Sequence, residues 1–354
     1  MSRPRPKPFP APRLALLGLL CLATVHCGPE DQEGAEGTGE ETGTVEQEGR
    51  AGRGPGWKRD AGTVTDAGAA PAPAPDAGAG GGSAGQLDAD GVVMLATPNP
   101  DGASWRLGTQ DPNQVSSTYF VNYGDAPTKV VEGPLTFWTT TGELITYSDG
   151  SPDGRTARFY MRPGGGTQRY GWNSGAQQYG YLATSRDLKN FEATAYVRVR
   201  GNLGKHVSMS WLLRGGSHSS SQPDFSSCTG MQIPWTGQSA KAFREYTHPN
   251  YDYIYLTPKF TYNFVEGKWL GTKVLSWKVT GGTMNRLYLD TDPFDAQGKP
   301  RNNFRLYLEW NDRSTDTGRY TVPATWGGWQ TSMRIDGWRN TDFTLLSARE
   351  ILPP

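Results

Sequence analysis

Three cysteines in 354 residues exclude a disulfide scaffold. Formal net charge is zero, so no basic excess exists to neutralise phosphates, and nucleic acid is excluded as a partner on electrostatic grounds. Histidine is scarce, with four copies, and no His/Cys cluster has zinc spacing. A phosphate-cradling glycine loop and a G-x-S-x-G elbow are both missing. The acidic string at Asp290, Asp292 and Asp295 lacks the twelve-residue calcium-loop spacing and reads as a solvated turn. No metal and no cofactor is therefore expected. No apolar run reaches the ~20 residues that cross a bilayer core.

The longest apolar run is Leu14 to Val25, preceded by a basic stretch that closes at Arg13. Its length fits the apolar core of a secretory signal, so the chain is expected to be exported. The run stops at Cys27, followed by Gly28, Pro29 and Glu30. This arrangement resembles a bacterial lipoprotein signal, which implies lipid on Cys27 and a membrane contact through that anchor alone. His26 departs from the family pattern, which has Gly, Ala or Ser before the cysteine. The implied location is the bacterial cell envelope, at the outer membrane or cell surface. With Cys27 lipidated, Cys228 has no intramolecular partner and reads as a buried thiol.

Residues 28–90 are acidic, then rich in Pro, Ala and Gly, with almost no large apolar side chains. Such sequence cannot bury enough apolar surface to offset chain entropy, and it reads as a disordered tether. Residues 1–27 are then the signal, 28–90 the linker and 91–354 one folded domain, expected to be monomeric.

Apolar residues in that domain alternate with period two. Phe191, Ala193, Ala195, Val197 and Val199 point one way, and Glu192, Thr194, Tyr196, Arg198 and Arg200 the other. Val207, Met209, Trp211 and Leu213 repeat the pattern, as do Leu287 and Leu289 against Arg286, Tyr288 and Asp290. In FRLYLEWN, Phe304, Leu306, Leu308 and Trp310 are predicted inside, with Arg305, Tyr307 and Glu309 outside. Leu270 to Val279 and Ser332 to Ile335 add further strands. Breaks at Gly201, Gly281, Gly150 and Gly154 complete the pattern of an all-β, two-sheet antiparallel sandwich.

Several strings resemble concanavalin-like jelly-roll proteins of bacteria and archaea: GYLATSRDLKNFEATAYVRV, RGGSH, FREYTHPNY, EGKWLGTKVLSWKV and MRIDGW. The resemblance spans most of residues 91–352 and implies a jelly roll that engages polysaccharide or a cell-envelope glycan. That fold holds lectins, glucanases and polysaccharide lyases, so it leaves the reaction open. The alginate-lyase pattern is not matched, since Gln232-Ile233 is followed by Pro234 where that motif has His.

Two chemistries follow from the residues. A lyase acting on a uronic-acid glycan needs a cation for the carboxylate, a base and an acid. Arg214 is the candidate cation, His218 or His248 the base, and Tyr251 or Tyr246 the acid, with Glu245 alongside. A structural alternative pairs Arg214 with Glu245 and places His248 in a turn. Hydrolysis is less favoured, because two glutamates four apart on one strand are missing. Binding without turnover needs only stacking aromatics and polar groups, which Tyr196, Arg198, Lys273, Arg286, Tyr288, Arg305, Tyr307 and Glu309 offer on a concave face. A structural envelope role would need none of these.

Overall fold

The computed structural model describes residues 86–107, 120–145, 154–163, 188–203, 207–215, 228–235, 237–247, 250–313, 320–328 and 330–354. Cys27, the apolar run and residues 28–85 lie outside them, as do His218 and His248. The described residues form sixteen strands and contain no helix.

Sheet A runs, edge to edge, through β14 (Arg305–Arg313), β13 (Gly282–Asp290), β12 (Leu270–Val279), β7 (Phe191–Asn202), β16 (Trp338–Glu350), β4 (Leu135–Thr141) and β3 (Thr128–Glu132). Short β1 (Ser104–Leu107) pairs with the last part of β16. Sheet B runs through β11 (Asn250–Tyr255), β10 (Lys241–Thr247), β9 (Cys228–Ile233), β8 (Ser208–Gly215), β15 (Gln330–Asp336), β6 (Gly154–Met161) and β2 (Phe120–Tyr123). In addition, β5 (Glu143–Ile145) pairs with β6. Together they make the expected two-sheet antiparallel sandwich.

Alternation sets which side of each strand is buried. Ala193, Ala195, Val197 and Val199 of β7 meet Met209, Trp211 and Leu213 of β8 in one apolar core between the sheets. Trp211 places its indole there and still satisfies Nε1, which donates to Thr272 Oγ1 at 3.2 Å. Cys228 is a buried free thiol, as expected.

Two local irregularities overturn face assignments read from period two. In β14 the register slips between Leu287 and Tyr288, whose partners are Leu308 and Leu306. Tyr307 therefore has no partner row, the local side-chain order inverts, and Tyr307 turns into the core instead of outward. Phe304 correspondingly lies on the outer side of sheet A against Tyr196. At the end of β8, Arg214 has φ 57°, beside a register shift between Gln330 and Ser332. Gly328 has no room for a side chain there, since a Cβ would stand 2.3 Å from the Arg214 backbone.

Two buried arginines tie the sheets together. Arg214 donates from Nε to Ser276 Oγ of sheet A (3.1 Å), from Nη1 to the Trp326 carbonyl (2.6 Å), and from Nη2 to the Lys189 carbonyl. Arg244 on β10 pairs with Asp312 on β14 (Nε to Oδ1, 2.8 Å) and donates to the carbonyls of Tyr320 and Arg313. Asp312 also accepts from the Ala324 amide at 3.0 Å.

Residues 86–98 form a strap over the outer side of sheet A, with bridges from Leu87 to Val93 and from Pro98 to Ile351. Glu192 holds the strap by accepting from the amides of Leu95 (2.8 Å) and Ala96 (3.0 Å). Its other oxygen accepts from Lys273 Nζ at 2.8 Å.

Breaking the Arg244–Asp312 pair strands a buried charge, a change that costs about 3–5 kcal/mol. Arg244→Met in the full chain should lower the urea midpoint accordingly, followed by tryptophan fluorescence. An unchanged midpoint would mean the pair contributes no net stability.

Candidate functional site

The outer side of sheet B carries the densest set of chemically capable side chains among the described residues. On β6, Ala157, Phe159 and Met161 enter the core, which turns Thr156, Arg158 and Tyr160 outward. On β15, Met333 and Ile335 enter it, leaving Ser332, Arg334 and Asp336 outward. The same rule directs Ser208, Ser210 and Leu212 of β8, Cys228, Gly230 and Gln232 of β9, and Lys241, Phe243 and Glu245 of β10.

Strand register lines these residues into rows. One row crosses five strands as Arg158, Arg334, Ser210, Gln232 and Lys241. At about 4.8 Å between strands it is roughly 19 Å long. The next row reads Tyr160, Ser332, Leu212, Gly230, Phe243 and Tyr253. Gly230 is required in it, because the Phe243 ring lies across the strand and would meet a Cβ at 2.1 Å. Tyr251 and Tyr253 stack at 5.6 Å with planes 5° apart, and Lys241 Nζ sits 4.0 Å above the Tyr253 ring. Tyr255 beyond them is 71% exposed.

Two arginines stand directly opposite each other in this face, at Arg158 and Arg334. Like charges in opposed positions are destabilising, so counter-charges must hold them. Arg334 pairs with Asp336, whose oxygens also accept from Thr156 Oγ1 (2.5 Å) and Ser208 Oγ (3.2 Å). Arg334 Nη1 donates to Tyr251 Oη at 3.0 Å, and Arg158 Nη1 to Tyr160 Oη at 3.4 Å. Cys228 Sγ donates to Glu245 Oε2 at 3.5 Å. Burial, reinforced by the Glu245 carboxylate, pushes the Tyr251 phenol and the Cys228 thiol well above their ordinary values.

Of the expected lyase constellation, Glu245 and Tyr251 come together here. Arg214 does not: its guanidinium is turned between the sheets, and burial lowers its pKa to about 10. The alternative pairing of Arg214 with Glu245 does not form either, since Arg214 bonds Ser276 and two carbonyls. Tyr246 also turns away, donating to the Val322 carbonyl at 2.8 Å.

The eight expected binding residues all belong to sheet A. Tyr196 is fully buried beneath Val92, Phe294 and Phe304. Lys273 is buried against Glu192, with Thr194 Oγ1 at 2.7 Å. Arg198 lies between the rings of Phe137 (4.9 Å) and Trp269 (5.0 Å) and pairs with Asp342 and Glu132. Arg286 bonds Glu309 at 2.6 Å and covers Trp277, with half-buried Tyr288 beside them. Arg305 stacks on Phe260 at 4.2 Å, and the inward Tyr307 donates to the Tyr262 carbonyl at 3.1 Å.

Sequence reasoning passed over Arg158, Tyr160, Arg334 and Asp336. The available signal was alternation in TARFYM and SMRID, where each charged or aromatic outward residue follows a small or apolar inward one.

No family model matches the chain, and no curated protein matches it. Among the solved structures similar to it are legume lectins, the VIP36 exoplasmic/lumenal domain and an endo-β-galactosidase. Winged bean acidic lectin complexed with methyl-α-D-galactose is 7% identical, covers 72% of this chain and 100% of its own, and has a TM-score of 0.37. The exoplasmic/lumenal domain of VIP36, in a Ca2+/Man3GlcNAc-bound form, is 7% identical over 73% of this chain and 91% of its own, also at 0.37. A GlcNAcα1-4Gal-releasing endo-β-galactosidase from Clostridium perfringens is 7% identical over 72% of this chain and 64% of its own, at 0.36. Likenesses this distant leave ligand and activity to be read from the residues of this chain.

The alkaline behaviour of the face follows from its raised groups. Above about pH 9 the unfolded chain loses protons that folded Cys228 and Tyr251 keep, starting from ordinary values of 9.0 and 10.0. The unfolded state then binds fewer protons, so stability present at neutral pH declines as pH rises, by up to about 1.4 kcal/mol per pH unit per group. Urea midpoints between pH 7 and 11 should fall, and fall less steeply in Tyr251→Phe. A Tyr251→Phe slope equal to that of the parent would contradict the assignment.

Proposed function

We propose that this chain binds an acidic polysaccharide along the outer face of sheet B. The observation that carries this reading is the polar row of Arg158, Arg334, Ser210 and Gln232, each at most 5% exposed, continuing to Lys241 and flanked by the Tyr251–Tyr253 stack. Guanidinium pairs select carboxylate or sulfate oxygens through charge-assisted hydrogen bonds. Serine, glutamine and lysine supply hydroxyl partners, and tyrosine rings supply apolar surface with a polar tip. The N-terminal sequence supports export to a bacterial envelope and lipid attachment at Cys27, a part of the proposal that rests on sequence alone.

Turnover by β-elimination is the second reading, favoured by the 3.0 Å contact between Arg334 and Tyr251 Oη. The arginines would neutralise the substrate carboxylate. Glu245 would take the proton alpha to it, and Tyr251, kept protonated by burial, would give one to the leaving oxygen.

Affinity electrophoresis of the full chain should show retention on acidic polysaccharide and little on neutral glycan. Arg334→Ala and Arg158→Ala should each weaken retention about tenfold or more, ~1.4 kcal/mol at least. Equal retention on neutral glycans, or two silent variants, would refute the binding reading. Growth of ultraviolet absorbance from an unsaturated product, lost in Tyr251→Phe, would add turnover.

A further inference from the structure

On the far side of the sandwich, the strap, β1 and β16 enclose an open cleft of about 330 Å³, lined by Asp88, Ser104, Trp105, Arg106, Ser347 and Arg349. We propose that this cleft is a separate binding site for one sugar-sized monoanion, a single uronate unit. The inference does not depend on the sheet B reading.

Register supplies the pattern of donors. Ser104 is opposite Arg349 and Arg106 opposite Ser347, so the two arginines occupy one diagonal of a four-residue patch and the two serines the other. Diagonal neighbours across a strand pair are within reach of long side chains. Each guanidinium is held from its strap side. Arg106 Nη1 pairs with Asp90 Oδ1 at 2.7 Å, and Arg349 Nη2 with Asp88 Oδ2 at 2.9 Å and Ser347 Oγ at 3.2 Å.

Asp88 and Glu192, two acceptors at this place, are already occupied. Asp88 Oδ1 takes the amides of Asp90 and Val92, both at 3.0 Å, and Oδ2 takes Arg349. Glu192, 4.0 Å from Arg349, is held by Lys273 and the strap amides. A guanidinium carries five N–H groups, so the remaining ones, with the two serine hydroxyls, present mostly donors to the cleft. The ligand must therefore be rich in acceptor oxygens.

Charge and size narrow it further. Arg106 and Arg349 are balanced by Asp88 and Asp90, so a single negative charge is accommodated more readily than two. The volume is at the small end for ligand clefts, which fits one ring with hydroxyls and excludes an oligosaccharide lying lengthwise. Arg349 is held rigidly, at 8% exposure, while the Arg106 side chain is 48% exposed and able to meet an arriving ligand. A free uronic acid and the terminal unit of an acidic chain share this chemistry.

The test is a titration of the 15N-labelled full chain with D-glucuronate, with a short oligouronate and with D-glucose. D-glucuronate should give saturable shifts of the Ser104, Arg106, Ser347 and Arg349 amides, with affinity on the order of millimolar. Arg106→Ala should weaken it about tenfold or more, and Ser104→Asp, a change at an exposed rim position, should abolish it. Arg334→Ala should leave these shifts intact, which separates this site from the sheet B face. The same shifts with the oligouronate but not with the monomer would assign the ligand as a chain end. Shifts confined to β6 and β15, equal shifts with D-glucose, or no saturation with either acid would overturn the proposal.

Discussion

The Arg244–Asp312 ion pair sets the relation between the two sheets, because it is where sheet B is bonded to sheet A through fully buried charges. A guanidinium taken out of water must have every direction satisfied, and here the carbonyls of Tyr320 and Arg313 complete what Asp312 begins. Asp312 in turn accepts from the Ala324 amide, so the pair also dictates the path of residues 320–328. That segment supplies the Trp326 carbonyl to Arg214 on β8, the strand beside β15.

The two outer faces put their charges to different uses. On sheet A, Lys273, Arg198 and Arg286 each meet a carboxylate, and the strap or aromatic rings cover them. These groups seal a surface. On sheet B the arginines are set against each other across neighbouring strands, and tyrosine hydroxyls take part in their coordination. There Arg334 is balanced by Asp336, and the tyrosine hydroxyls share in holding a pair of like charges that would otherwise repel.

Much of the fold was legible in the sequence because period two is a local property. Strand β7 could be read residue by residue, down to which side chains enter the core. What could not be read is which sheet a strand joins, since alternation is the same in either. Tyr196 and Arg158 both sit at outward positions, yet they lie on opposite sides of the molecule. Bulges added a second limit. One unpartnered residue at Tyr307 inverts a face, and the positive φ at Arg214 turns a rim candidate inward. In the candidate site, Glu245 and Tyr251 were found through their polar neighbourhood, while Arg334 was hidden in a strand recognised only for its apolar positions.

The strap has a mechanical consequence. Gln86 lies on the back of sheet A, with the whole sandwich between it and the sheet B face. A pull on any segment ahead of Gln86 is borne first by Asp88 on Arg349 and by the Glu192 contacts to Leu95 and Ala96. Load applied from that end would peel the strap before it strained β6 or β15, so a domain held there keeps the sheet B face turned outward and unloaded.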